Sequence, residues 1–348
     1  MIGAAFKGLG SGFAKTLFTT QASPFVGLFI GILATGLFQS SSTTTSLVVG
    51  MVAGGIFGDD PIIAVSAAVP YIMGANIGTS ITNTIVSMGH IGDKIEFKRA
   101  FSASIVHDFF NILSVAILFP LEILFGIISK SGIWLSTALV GSAEISFNSP
   151  IKLLTKPSVN FIKGLTDNQQ IMNENFLLLL LAISFLFFSL RNLTKLIKSL
   201  VMFKLEAFFD THIFKTTIRA MLFGILITFL VQSSSITTSL VVPLAGAGIL
   251  KLRQIFPYTL GANIGTTMTS ILASLATGTI QSLSVAFGHL LFNIFGIVLI
   301  WPIPQLRNIP IKLSLQFAEL ATQNKVYPFL YIVIVFFVIP LTLISIVR

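Results

Sequence analysis
The chain has 348 residues, of which 54% are hydrophobic and 9% charged, with a formal net charge of +9 and no cysteine. Soluble domains carry roughly 25% charged residues, so this balance, with a mean hydropathy of +0.94, points to an all-α integral membrane protein. Disulfides and thiolate metal sites are excluded. The positive charge reads as lysine and arginine in cytoplasmic loops, with no nucleic-acid partner.

From the N-terminus, Lys7 and Lys15 stand among glycines without a long apolar run. That pattern predicts an interfacial amphipathic helix in place of a signal peptide. The apolar segment 24–57 is too long for one crossing of about 20 residues and too short for two. It carries a polar block near its middle, Gln39 to Gly50, reading QSSSTTTSLVVG. A re-entrant helical hairpin is expected, with the polar block at its tip near the bilayer midplane. Spans are predicted over 61–88, 100–129 and 176–190.

The second half restates the first. Gln232 to Pro243 reads QSSSITTSLVVP, Gly74–Thr79 (GANIGT) returns as Gly261–Thr266, and His107 with Asn111 returns as His289 with Asn293. A second hairpin is placed at 218–250, with spans at 255–276, 280–301 and 328–347. The domain division is 1–197 and 198–348, each opening on an interfacial helix.

A hairpin plus three crossings is an odd number of crossings, so the halves should be inverted in the membrane. Loop charges agree. Asp59 and Asp60 follow the first hairpin, whereas Lys251 and Arg253 follow the second. Lys94, Lys98 and Arg99 follow the first GANIGT span, whereas 277–284 has no charge. Signs swap between copies, as the bias of basic residues toward the cytoplasm requires for inverted repeats. Lys7 and Lys15 fall on the outer side in this scheme.

Polar segments in lipid are costly unless they line a cavity or bind something. Serines at a helix break can cap the following helix, and a helix N-terminus suits an oxyanion. Hydroxyl and amide oxygens, with freed carbonyls, suit a hard cation. The glycines four apart in each GANIGT block also predict close helix packing. No lysine or arginine lies mid-span to neutralise an anion, and His107, Asp108, Glu122 and His289 are the few ionisable groups available to carry protons. A cation-coupled anion transporter fits best, and a duplicated serine and histidine argue against a single asymmetric nucleophile–base pair.

The paired QSSS blocks, GANIGTSITNT at 74–84 and GDKIEFKRAFSASIVHDFFN at 92–111 resemble the type II sodium-dependent phosphate cotransporters, over roughly 24–300. The resemblance implies a compact bacterial member: a symporter of the plasma (inner) membrane that couples sodium influx to inorganic phosphate transport by alternating access, and not an enzyme. It implies phosphate ligands Gln39, Ser40, Ser41, Ser42, Gln232, Ser233, Ser234 and Ser235. The implied ligands of the co-transported sodium are Thr43, Asn76, Thr79, Ser80, Asn83, Asn263, Thr266 and Thr267. An intramembrane serine hydrolase and a passive anion channel are the competing readings. The chain alone sets no oligomeric state, a homodimer being one option.

Overall fold
Helix starts in this chain are written by proline and by short polar caps. In the computed structural model, which describes residues 23–140 and 213–347 with parts of 157–188 between them, Pro24 opens helix α1, Pro24–Phe38. The Ser40 hydroxyl caps α2, Ser41–Ala53, by accepting from the Thr43 amide. Asp60 caps α3, Pro61–Ile77, through the amides of Ile62 and Ile63. A 3₁₀ turn at Gly78–Ser80 leads into α4, Ile81–Ser87. Asp93 caps α5, Lys94–Phe125. Such side-chain acceptors satisfy amides that have no partner inside the helix.

The expected span 100–129 is corrected here. Gly126 adopts φ +64°, ends α5 at Phe125, and a separate helix α6 runs Ile127–Val140. The buried Glu122 makes this break possible, since its carboxylate accepts from the Ile128 and Ser129 amides and caps α6. Glu122 is thereby accounted for as a structural cap.

The second half runs α7, Thr217–Val231; α8, Ser234–Gly246; α9, Leu252–Thr277; and α10, Ile280–Ile300. Helix α11, Pro304–Gln323, occupies an interval where no element was expected. A last apolar rod, Val326–Val347, contains a π-helical turn at Ile334–Val338 and joins α12, Val326–Val333, to α13, Ile339–Val347. The expected interfacial helices lie largely outside the described residues, and the expected span 176–190 is described only in part, its described residues being helical.

Among the described residues, four helices are long and apolar enough to cross a membrane: Pro61–His90, Lys94–Phe125, Ile280–Ile300 and Val326–Val347. The hairpin segments are different. Their arms have 15 and 13 residues in each copy. At about 1.5 Å per residue these reach about 20 Å, short of a hydrocarbon core of about 30 Å.

Packing repeats between the copies. Helix α1 lies on α3, and α7 lies on α9. A Cβ on Gly74 would stand 1.9 Å from the Leu28 carbonyl oxygen, and one on Gly261 would stand 2.0 Å from that of Met221. Both glycines therefore serve backbone-to-backbone contact, as their spacing predicts. The following helices cross over: α6 packs on α10 of the other half, and α11 packs on α5. Gly132 and Ser136 form one seam, the latter 2.6 Å from Ser284, while Ser314, Ala318 and Ala321 are buried on the other helix. The main core draws on both halves, with Val65, Phe101 and Ile105 in one cluster with Phe292, Ala318 and Phe336.

Candidate functional site
Each QSSS block breaks its hairpin in two residues. Gln39 ends α1 at φ 54°, ψ 28°, and Gln232 ends α7 at φ 57°, ψ 24°. Among the described residues these are the only non-glycine positions with positive φ. The left-handed region costs a side-chain-bearing residue roughly 1–2 kcal/mol. The next residue swings to extended backbone, at φ −156° for Ser40 and −152° for Ser233, and starts the second arm.

The glutamine side chains explain why glycine does not occupy these positions. The Gln39 Nε2 donates to the Gly36 carbonyl at 2.8 Å, and that of Gln232 to the Phe229 carbonyl at 2.7 Å. Each amide satisfies a carbonyl orphaned by the helix end. Each Oε1 accepts from a threonine of its own half, Thr82 at 3.1 Å and Thr269 at 2.9 Å. The amides thus tie each tip to its neighbouring span.

The two tips touch. The Ser42 hydroxyl donates to the Gln232 carbonyl, and the Ser235 hydroxyl donates to the Thr79 carbonyl, each at 3.3 Å. Cross-half pairs continue along the second arms: Asn83 Nδ2 donates to Thr238 Oγ1 at 2.7 Å, and Ser270 Oγ to Thr45 Oγ1 at 2.9 Å. Ser40 and Ser233 are spent on capping the amides of Thr43 and Ile236, and Ser40 also accepts from the Thr43 hydroxyl. The amides of Ser41, Ser42, Ser234 and Ser235 fall in first helical turns, where no intrahelical acceptor exists.

The oxygen-bearing residues expected to ligate a cation are all buried: Thr43, Asn76, Thr79, Ser80, Asn83, Asn263, Thr266 and Thr267. Asn111 stitches the two GANIGT blocks, since its Nδ2 donates to the Asn76 carbonyl and its Oδ1 accepts from Asn263 Nδ2, both at 2.8 Å. Asn83 Oδ1 and Thr266 Oγ1 are buried without a hydrogen-bond partner. Unpaired buried oxygens are rare and costly, and they are the donors a hard cation takes.

Weighing the sequence alone left Asp108 in the background. Its carboxyl group is fully buried, accepts from the Tyr331 hydroxyl at 2.9 Å through Oδ2, and leaves Oδ1 without a hydrogen bond, 3.6 Å from His107 Nδ1. The neighbouring His107 bonds the Ser80 hydroxyl at 3.1 Å through Nε2, and His289 bonds Ser270 at 3.0 Å. Both histidines therefore pair with GANIGT-span serines and not with the QSSS serines. The signal for Asp108 was present, since an acid in an otherwise apolar span is a functional candidate.

The fold and site define an α-helical membrane protein whose buried centre is polar, duplicated and free of lysine and arginine among the described residues. The chain belongs to the Na+/Pi-cotransporter family, whose profile matches residues 2–142 and 185–338. Its relatives include sodium-dependent phosphate transport protein 2B of Homo sapiens, 32% identical over 98% of this chain and 62% of that protein. The 2B protein of Pongo abelii is 33% identical with the same shares, and the 2A protein of Rattus norvegicus is 32% identical over 98% of this chain and 64% of its own length. The chain thus spans about three fifths of these curated relatives. No solved structure matches it.

Proposed function
We propose that this protein is a plasma-membrane symporter that uses sodium influx to carry inorganic phosphate by alternating access. The observation that carries the reading is the contact between two QSSS tips of near-identical geometry, one from each half. Four first-turn amides and the hydroxyls of Ser41 and Ser234 lie at these touching tips, a cradle suited to an oxyanion. Gln39 to Ser42 and Gln232 to Ser235 hold the phosphate in this reading. Gln39, Gln232, Ser40 and Ser233 shape the tips, while Ser41, Ser42, Ser234 and Ser235 offer donors.

Bringing an anion to the bilayer centre without a lysine or arginine requires co-bound cations. Thr43, Asn76, Thr79, Ser80, Asn83, Asn263, Thr266 and Thr267 surround the locus with oxygens, and the open lone pairs of Asn83 and Thr266 fit sodium coordination. Asp108, next in sequence to the His107 that bonds Ser80, adds a buried carboxyl oxygen to this set. Sodium then offsets phosphate charge and cancels part of its desolvation cost, so transport of one ion demands the other.

The halves are read as inverted repeats with re-entrant hairpins. Lys251, after the second hairpin, lines the same groove as Lys94 and Lys98, after the first long span. A long span separates the outer end of the first hairpin from Lys94. The two hairpins therefore open toward opposite faces, and arms of about 20 Å bring their tips together inside the membrane.

The deciding measurement is phosphate uptake into proteoliposomes under an imposed sodium gradient. Accumulation against the phosphate gradient that collapses when sodium is replaced by choline is the expected result. Downhill flux without accumulation would instead establish a channel. Covalent labelling of a tip serine by a fluorophosphonate would establish a hydrolase, a reading disfavoured by the distance of both histidines from those serines in the bonding scheme.

A further inference from the structure
An open groove of about 680 Å³ lies away from the QSSS tips, where the two halves meet at one face of the molecule. Three elements build it: the first turns of α5, the turn after α8, and the C-terminal part of α11. Lys94, Lys98, Arg99 and Lys251 line it, opposed by the single carboxylate of Glu319. Lys98 pairs with Glu319. Lys94, Arg99 and Lys251 have no ion-pair partner within 4.0 Å among the described residues, and Arg99 meets the Asp93 carboxylate only at longer range. The nearby Asp93 is committed to capping α5 through the Ile95 and Glu96 amides. Its carboxyl is held below the usual value by those amides and by Arg99.

The cations are placed and not scattered. The Arg99 guanidinium rests on Gly248, where a Cβ would come within 2.6 Å of Nη1, and Gly248 itself needs φ +77°. Lys251 is the N-cap residue of α9, and its amide is fixed by Gln254 Oε1 at 2.9 Å. The hydroxyls of Ser102 and Thr322 also face the groove, as do the apolar Leu250 and Leu315. Helix α8 carries the tip at its N-terminus and the groove at its C-terminus, so the two loci lie about 20 Å apart at about 1.5 Å per residue.

We propose that this groove is a second, sodium-independent binding site for a phosphate group. Clustered cations with hydroxyls and a low-dielectric wall concentrate a phosphate anion, and arginine matches its oxygens in a forked geometry. The phosphate belongs either to free inorganic phosphate or to the headgroup of an anionic lipid, whose acyl chains the apolar wall would accept. The inference stands apart from transport at the tips, because nothing in it requires sodium.

The test titrates inorganic phosphate into the full chain in phosphatidylcholine nanodiscs with choline as the only added cation. Binding by the parent is expected, and it should fall roughly tenfold as salt rises from about 0.01 M to about 0.15 M, where the screening length shortens from about 30 Å to about 8 Å. It should be lost in the R99Q/K251Q double variant and retained in R99K/K251R, both checked for monodispersity and melting temperature. A parallel arm includes phosphatidylglycerol in the discs. Suppressed phosphate binding, with more phosphatidylglycerol retained by the parent than by R99Q/K251Q, assigns the site to the lipid headgroup. Unchanged binding without lipid enrichment assigns it to free phosphate. If the parent shows neither sodium-free phosphate binding nor lipid enrichment, or if R99Q/K251Q behaves as the parent, the proposal is overturned. Adding sodium to the same samples reads the tip site separately, so a failure of either reading is recognised as its own.

Discussion
The two hairpins agree at their tips and disagree at their outer ends. Gln39 and Gln232 differ by a few degrees in φ and ψ, and their amides make the same two hydrogen bonds. At the outer ends, the first hairpin runs into the acidic Asp59 and Asp60, while the second runs into Lys251 and the basic groove. Duplicated geometry persists where the two copies touch. It diverges at the outer ends, where one copy is acidic and the other basic. Asp108 marks a third kind of position, buried yet unmatched, since Leu290 follows His289 where Asp108 follows His107.

The comparison can be broken first at the helix contacts. Gly74→Leu and Gly261→Leu each drive a side chain into a carbonyl oxygen, and each should cost more than about 3 kcal/mol. Failure to recover a monodisperse, cooperatively melting protein checks this, and survival of one variant alone would show that the halves are not packed equivalently. Next come the tips. Gln39→Gly and Gln232→Gly relieve about 1 kcal/mol of backbone strain while deleting the amide, so melting should hold and sodium-coupled phosphate uptake should vanish in both. Uptake persisting in one of them would confine the site to the other hairpin.

A smaller effect is expected at the unmatched acid. Asp108→Asn should weaken sodium activation of uptake about tenfold, equivalent to about 1.4 kcal/mol, with Leu290→Ala as the control at the corresponding position. Equal sodium dependence in the two variants would remove Asp108 from the cation site. Ser41→Ala deletes one hydroxyl and should weaken phosphate binding by about 1.5–3 kcal/mol if that hydroxyl donates to the anion, an outcome an isotherm reads directly. The least effect belongs to Asp93, which is exposed. Its folded carboxyl titrates below 3.8, so its contribution to helix α5 is complete above that value and lost as pH falls through the lower folded value. Melting temperatures of the parent and Asp93→Ala should differ slightly near neutrality and converge in acid.

Much of the site was legible because duplication flags itself. A polar block repeated with its glutamine and serines, and glycines four apart, identified the helix breaks and the close seams that the structure contains. Elements that do not advertise themselves by apolar runs were missed. Helix α11 carries Arg307, Lys312 and Glu319 and buries Pro310 and Ile311 beside the small Ser314, Ala318 and Ala321, so its hydropathy is unremarkable. The break at Gly126 depends on Glu122 turning inward to cap α6, a tertiary choice that overrides an unbroken apolar sequence. The left-handed backbone at Gln39 and Gln232 runs against residue preference, and only their side-chain bonds explain it.

The crossing of α6 onto α10 and of α11 onto α5 has a consequence for assembly. Each half lends a helix to the other, like two hands clasped with interlaced thumbs, so neither can finish its own fold in isolation. Two polypeptides expressed separately, one ending and one beginning at the junction, would each carry bare small-residue seams in lipid. Only their association would restore the shared core, and with it the meeting of the tips.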